Sequence, residues 1–347
     1  MPFPDFLIIG AQKAGTSWLA SNLSRHPDVW TPPLKEIHYF DQRAKEPPFV
    51  VSLMRLCRTG YTDEDWYPWY WRNQSKRLLR SILRRSGRKP EPGTLSWALK
   101  FLSLPPSDRW YASLFEEGGG RKTGEATPEY AILEEAEVAR VHELMPDARI
   151  VFFMRNPIER LYSSALMRLR HLAEMGRETE ADDRFFERFF REPEVVAETK
   201  YLRSLERWRR FYGTSRSSSG SSKTSTSTRP SAATPLLVSR VDPARALPVE
   251  RRKVNAAHRE TMPTPLAVHL ALAYREDLQL LSARFGGYAS FWLHCAEKLT
   301  SNPPDEETLP YPLWESWLWD EWKKGRGPAG PTETGKSEVQ SRALAPS

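Results

Sequence analysis

Phe6-Leu7-Ile8-Ile9-Gly10-Ala11-Gln12-Lys13-Ala14-Gly15-Thr16-Ser17-Trp18 is the stretch on which the reading of this chain turns. Phe6 to Ile9 is a short apolar run of the kind found in a buried parallel strand. After the loop Gly10–Gly15, the segment Thr16–Arg25 places Trp18, Leu19 and Leu23 on neighbouring helical turns. His26-Pro27 ends it, because proline cannot continue a helix. Small residues between a strand and a helix let the backbone curl, so that its N–H groups converge on an anion. The helix N-terminus adds partial positive charge and Lys13 a full one. Such a loop is a phosphate cradle; a plain glycine-containing strand-to-helix turn is the simpler alternative. The nucleotide triphosphate P-loop, G-x-x-x-x-G-K-[ST], has the same glycine spacing but needs lysine where this chain has Thr16. Here the lysine stands inside the loop, which argues against a Mg-nucleotide kinase or ATPase.

A second strand is expected at Arg149-Ile150-Val151-Phe152-Phe153-Met154, followed by a turn with Pro157 at a helix start and a helix toward Arg170. Two apolar strands that each feed a helix predict an α/β fold, with a P-loop-like central parallel sheet flanked by helices. In Arg155-Asn156-Pro157-Ile158-Glu159-Arg160-Leu161-Tyr162-Ser163, an arginine at a strand end and a serine two helical turns on can converge on one phosphate.

Taken in this order, the two segments resemble those of the sulfotransferases that use 3′-phosphoadenosine-5′-phosphosulfate (PAPS). The first is similar to the family's 5′-phosphosulfate loop, the second to its 3′-phosphate motif R-[DN]-P-x-x-R-x-x-S. The resemblance implies cofactor contacts from Lys13, Ala14, Gly15, Thr16, Ser17 and Trp18, and from Arg155 and Ser163. His26-Pro27-Asp28-Val29 followed by Lys35-Glu36-Ile37-His38-Tyr39-Phe40-Asp41 resembles the segment carrying the catalytic base in the glycosaminoglycan-modifying and related bacterial branch. It implies Glu36 as base, with Lys13 over the leaving oxygen and His38 as neighbour. As a strand, the segment would point Glu36 and His38 to one side; a structural hydrogen-bonding role for His38 is the plainer reading. Gly124-Glu125-Ala126-Thr127-Pro128-Glu129-Tyr130 resembles the strand-loop lining the acceptor site, with Ala126 where that branch commonly has lysine. PAPS would be the sulfuryl donor to a hydroxyl or amine, the acceptor being a glycan, such as an anionic one, or a small molecule, and no nucleic-acid partner is expected. A P-loop nucleotide kinase or NTPase, and a catalytically degenerate PAPS- or polyanion-binding protein, are the alternatives.

The rest of the chain bounds this reading. Its 347 residues suffice for one large α/β domain or two small ones. With 39% hydrophobic and 27% charged residues the composition is that of a soluble globular enzyme, and the net charge of +7 suits an anionic ligand without choosing one. Two cysteines, Cys57 and Cys295, are too few for a disulfide framework. No run approaches a membrane span and the first residues do not form a signal peptide, so a cytoplasmic protein is expected. No His, Cys and carboxylate cluster has metal-ligand spacing.

Arg77, Arg80, Arg84 and Arg88 fit one helix face, whether solvated or lining an acceptor groove. A sulfotransferase domain is expected over 1–300, with a low-complexity Ser/Thr-rich loop at 214–235. Leu236-Leu237-Val238 is read as a remnant strand and Lys253-Val254-Asn255 as a loop over PAPS. Helical periodicity resumes over Thr264–Phe285. Residues 301–347 read as a segment rich in tryptophan (Trp314, Trp317, Trp319, Trp322), packed on the main domain, and a disordered tail.

Overall fold

Phe6–Gly10 folds as strand β1, and every residue in it is buried. The computed structural model describes residues 2–41, 76, 78, 93–104, 106–177, 179–221 and 261–325. Cys57, the four arginines between 77 and 88, 236–238, 253–255 and the tail from 326 lie outside the described residues.

β1 is the middle of a five-stranded sheet, flanked by β3 (Lys122–Ala126) and β4 (Arg149–Met154), with β2 (Val29–Trp30) and β5 (Ser217–Ser221) at the edges. All four pairings are parallel. A strand buried on both faces must be apolar throughout, which is why the unbroken run Phe6–Ile9 takes this place. Phe6 pairs with Gly124 of β3, and a Cβ on Gly124 would lie 2.3–2.4 Å from the Phe6 ring. That ring is completely buried and has nowhere to go. Gly124→Ala is therefore expected to destabilise the fold by about 1–3 kcal/mol, read as a lower urea midpoint at unchanged slope.

β5 corrects the expectation of a loop throughout 214–235. Its backbone pairs with β4 from Ile150↔Ser217 to Met154↔Ser221. The open edge of a buried strand must find partners for its N–H and C=O groups. An edge strand supplies them from its main chain, so a polar sequence can do it.

The sheet is flanked by α1 (Thr16–Leu23), α2 (Thr94–Ser103), α3 (Asp108–Ser113), α4 (Glu135–Leu144) and α5 (Pro157–Glu174), followed by α6 (Asp183–Phe190), α7 (Pro193–Thr199) and α8 (Tyr201–Arg216). α5 starts where Asn156 accepts a hydrogen bond from the Ile158 N–H (3.1 Å) and Pro157 occupies the first turn. One turn later Arg160 is fully buried. It donates to Glu198 (2.9 Å), the Val195 carbonyl (3.0 Å) and Thr199 (2.6 Å), tying α5 to α7.

The chain divides into two compact units, Met1–His258 and Arg259–Ser347. The boundary thus precedes the one read near residue 300. In the second unit β6 (Thr261–Pro263) pairs antiparallel with β7 (Thr308–Pro310). Between and after them run α9 (Thr264–Ala273), α10 (Arg275–Phe285), α11 (Gly287–Ser301) and α12 (Trp317–Gly325). Trp319 of α12 stacks on Tyr288 (6.0 Å) and meets Phe291 edge-on (4.8 Å), both on α11. Trp319 and Trp322 therefore find aromatic partners on α11, which places α12 with residues 264–301. No described helix is long and apolar enough to cross a membrane.

Candidate active site

The chain leaves β1 toward β2 and β3 on one side and returns to β4 on the other. In an open parallel sheet the crevice at such a switch, beyond the strand C-termini, is where ligands bind. The loop after β1 and the turn after β4 both open there. Ala11 N–H donates to the Phe153 carbonyl (2.6 Å), and Arg155 donates through Nη1 to the Lys13 carbonyl (3.3 Å). Lys13 and Arg155, 142 positions apart, are thereby brought into contact.

The loop's shape depends on its glycines. Gly10 has φ 149°, and a Cβ there would come 3.0 Å from Ala131 Cβ and 3.1 Å from the Pro128 carbonyl. Gly15 (φ 104°) precedes α1, which has no side-chain cap. A helix start leaves backbone donors without an intrahelical partner. Ala14 and Thr16 are buried, while Ser17 and Trp18 are partly exposed at the same turn. Lys13 itself takes a left-handed conformation (φ 64°). Burial, then the fields of Arg170 and Arg155, lower its ammonium pKa to about 8, with Glu36 opposing. The fields of Arg155 and Arg170 add to the charge of Lys13 at this loop, which favours an anion there. Ser163 is buried on α5, two turns beyond Arg155.

The sequence reading missed the residues that hold Arg155. Glu159 accepts from its Nε (2.9 Å), and the Tyr201 hydroxyl donates to its carbonyl (2.9 Å). The four-residue spacing from Arg155 to Glu159, across the start of α5, was the available signal.

The segment 35–41 is not a strand, contrary to expectation. Glu36 (φ 67°) and His38 (φ 55°) both turn left-handed, so strand alternation does not relate their side chains. Partners far along the chain impose the bend. Glu36 N–H donates to the Ala126 carbonyl (3.2 Å), Ile37 N–H to Glu125 Oε2 (3.3 Å) and Tyr39 N–H to the Tyr130 hydroxyl (2.9 Å). Glu125 is buried and also accepts from Tyr111, Tyr130 (3.1 Å) and Thr127 (2.8 Å). Burial holds its carboxyl above the usual range against those donors.

His38 donates from Nδ1 to Asp41 Oδ2 (2.6 Å). Burial opposes its charge most strongly, yet Asp41, Glu129 and Glu36 together raise the imidazole to about 9. At neutral pH it is an imidazolium. Glu36 pairs with Lys35 and lies in the field of Lys13. Among the described residues no group of three or more His, Cys, Asp or Glu could hold a metal ion.

The model of the sulfotransferase family matches residues 4–214, more than half of the chain. The chain belongs to the sulfotransferase family. The human carbohydrate sulfotransferase 15 is 24% identical to this chain over 165 residues, 47% of this chain but 27% of that protein. Among solved structures, a sulfotransferase from Alicyclobacillus acidocaldarius is 24% identical, with TM-score 0.36 over 63% of this chain and 73% of its own. The sulfotransferase domain of the Synechococcus PCC 7002 olefin synthase is 15% identical, with TM-score 0.41 over 79% and 94%.

Proposed function

We propose that this protein transfers a sulfuryl group from PAPS to a hydroxyl or amine of an acceptor, a glycan or small molecule. The observation that carries the reading is the Arg155–Lys13 contact, which joins the two phosphate-type motifs across adjacent strands. The residues present fit a donor carrying anionic groups at both ends: an uncapped helix and Lys13 at one, Arg155 and Ser163 at the other. PAPS would supply an activated sulfuryl group on a phosphate leaving group.

In this reading Lys13 and the first amides of α1 offset charge developing on the leaving oxygen, with Thr16 and Ser17 as hydroxyl donors. Arg155 and Ser163 hold the second phosphate, Glu159 fixing the plane of the guanidinium. A proton must leave the acceptor as it attacks. His38, already cationic, has no lone pair to take it, so Glu36 is the base and His38 orients the segment.

The 3′-phosphate site makes 3′-phosphoadenosine-5′-phosphate the diagnostic ligand. At a hundredfold excess over its dissociation constant it is expected to raise the melting temperature by about 5–10 °C, and ATP with Mg²⁺ distinctly less. The opposite order in a thermal-shift assay would favour a nucleotide kinase.

A further inference from the structure

Glu129 stands in the 3₁₀ turn Pro128–Ile132, packed directly against the end of β1. Its Oε1 accepts from Gln12 Nε2 (3.1 Å), and the Gln12 Oε1 accepts from Ser164 Oγ (3.1 Å). Both ends of the Gln12 amide are thus engaged, one residue before Lys13. The second carboxyl oxygen, Oε2, is shut off from solvent and has no hydrogen-bond partner among the described residues. A desolvated carboxylate oxygen without a donor is a costly anion. Of the charges around it, His38 relieves that cost most, but it does not offset the burial. Burial raises its pKa to about 7, with Glu36 and Asp41 from the 35–41 segment and Glu198 from α7 adding to the effect, while His38 alone opposes. No role given to Lys13, Arg155, Ser163 or Glu36 uses this group.

We propose that Glu129 is a positioning residue that couples donor binding to proton uptake, taking a proton from solvent when an anionic nucleotide fills the Gly10–Gly15 loop. This rests on reading the loop as the donor site. The incoming phosphates bring negative charge against a carboxylate that is one hydrogen bond from the loop. Protonation removes that repulsion and keeps the Gln12 contact, since a neutral carboxyl still accepts through Oε1. Release of the nucleotide product returns the proton. By linkage, donor affinity increases as pH falls through 7.

The test is calorimetric titration of the full chain with 3′-phosphoadenosine-5′-phosphate at pH 7, in two buffers of different ionisation enthalpy. A group half-protonated when free takes up about half a proton per ligand. That uptake is expected in the wild type beyond any seen in Glu129→Gln, which keeps the bond to Gln12 but cannot titrate. Uptake at Lys13 is common to both proteins and cancels in the difference. The variant should fold. With its pKa raised from 4.5 to about 7, the Glu129 contribution to stability is full below 4.5 and lost as pH rises through 7. At pH 8 Glu129→Gln should therefore melt no lower than the wild type. If it does not fold, the infrared difference spectrum of the wild type reads the same event, as a protonated-carboxyl band that must appear on ligand addition; its absence overturns the proposal. Binding with equal uptake in both proteins overturns the coupling and leaves the donor site standing. No binding by the wild type overturns the donor reading, and the coupling with it.

Discussion

Glu36→Gln is expected to lower sulfuryl transfer ~10²–10⁴-fold while leaving affinity for 3′-phosphoadenosine-5′-phosphate intact. The amide keeps the size and hydrogen bonding of the carboxylate but cannot take a proton. In the proposed reading the phosphates are held elsewhere, by Lys13, Arg155 and Ser163, so binding and turnover should separate cleanly. Turnover is read by following labelled sulfuryl groups from PAPS into pooled acceptor classes, glycans and small alcohols or amines among them. His38→Asn should cost less. Its imidazole, raised from 6.5 to about 9, carries a proton throughout the neutral range. The His38–Asp41 pair stabilises the fold fully below pH 6.5, and that contribution is lost as pH rises through 9. If His38→Asn abolishes transfer and Glu36→Gln preserves it, the roles are reversed.

Arg160→Ala is expected to cost about 3–5 kcal/mol of stability, the largest effect of any single substitution considered. The guanidinium is fully buried and holds three acceptors from α7 at once. Removing it leaves the Glu198 carboxylate, which burial already disfavours, without its cation. Arg160→Lys should recover only part of the loss, because one ammonium cannot match a planar fork against three acceptors. Urea denaturation measures both, and a loss below ~1 kcal/mol for the alanine variant would reduce the contact to the rank of a surface ion pair.

The parts legible in the sequence are those whose signal is local. Phe6–Ile9 and, after Arg149, the run Ile150–Met154 announce buried parallel strands because their side chains are all apolar, and the observed bounds agree closely. The loop and helix between Gly10 and Leu23 follow from small residues and a proline stop. The bend at 35–41 was not legible. Its cause is Glu125 and Tyr130, about ninety residues away, whose side chains replace a strand partner. β5 was missed for the opposite reason: an edge strand held through its main chain writes no pattern in its side chains. Glu129 looked like one carboxylate among 44 acidic residues. Only the packing beneath Gly10 separates it from the others.

The hydrogen bond from Arg155 to the Lys13 carbonyl also bears on how the protein is made. It closes a span of 142 positions, and such long-range contacts must overcome loop-closure entropy before they add stability. A chain emerging from the ribosome presents Lys13 early, yet has no opposing arginine until β4 has been synthesised and placed beside β1. Until then the half-made chain offers a nucleotide only a loose, one-sided loop. On the proposed donor reading, a nucleotide gripped at both ends therefore marks β4 docked beside β1, and its binding energy adds to the stability of the folded unit.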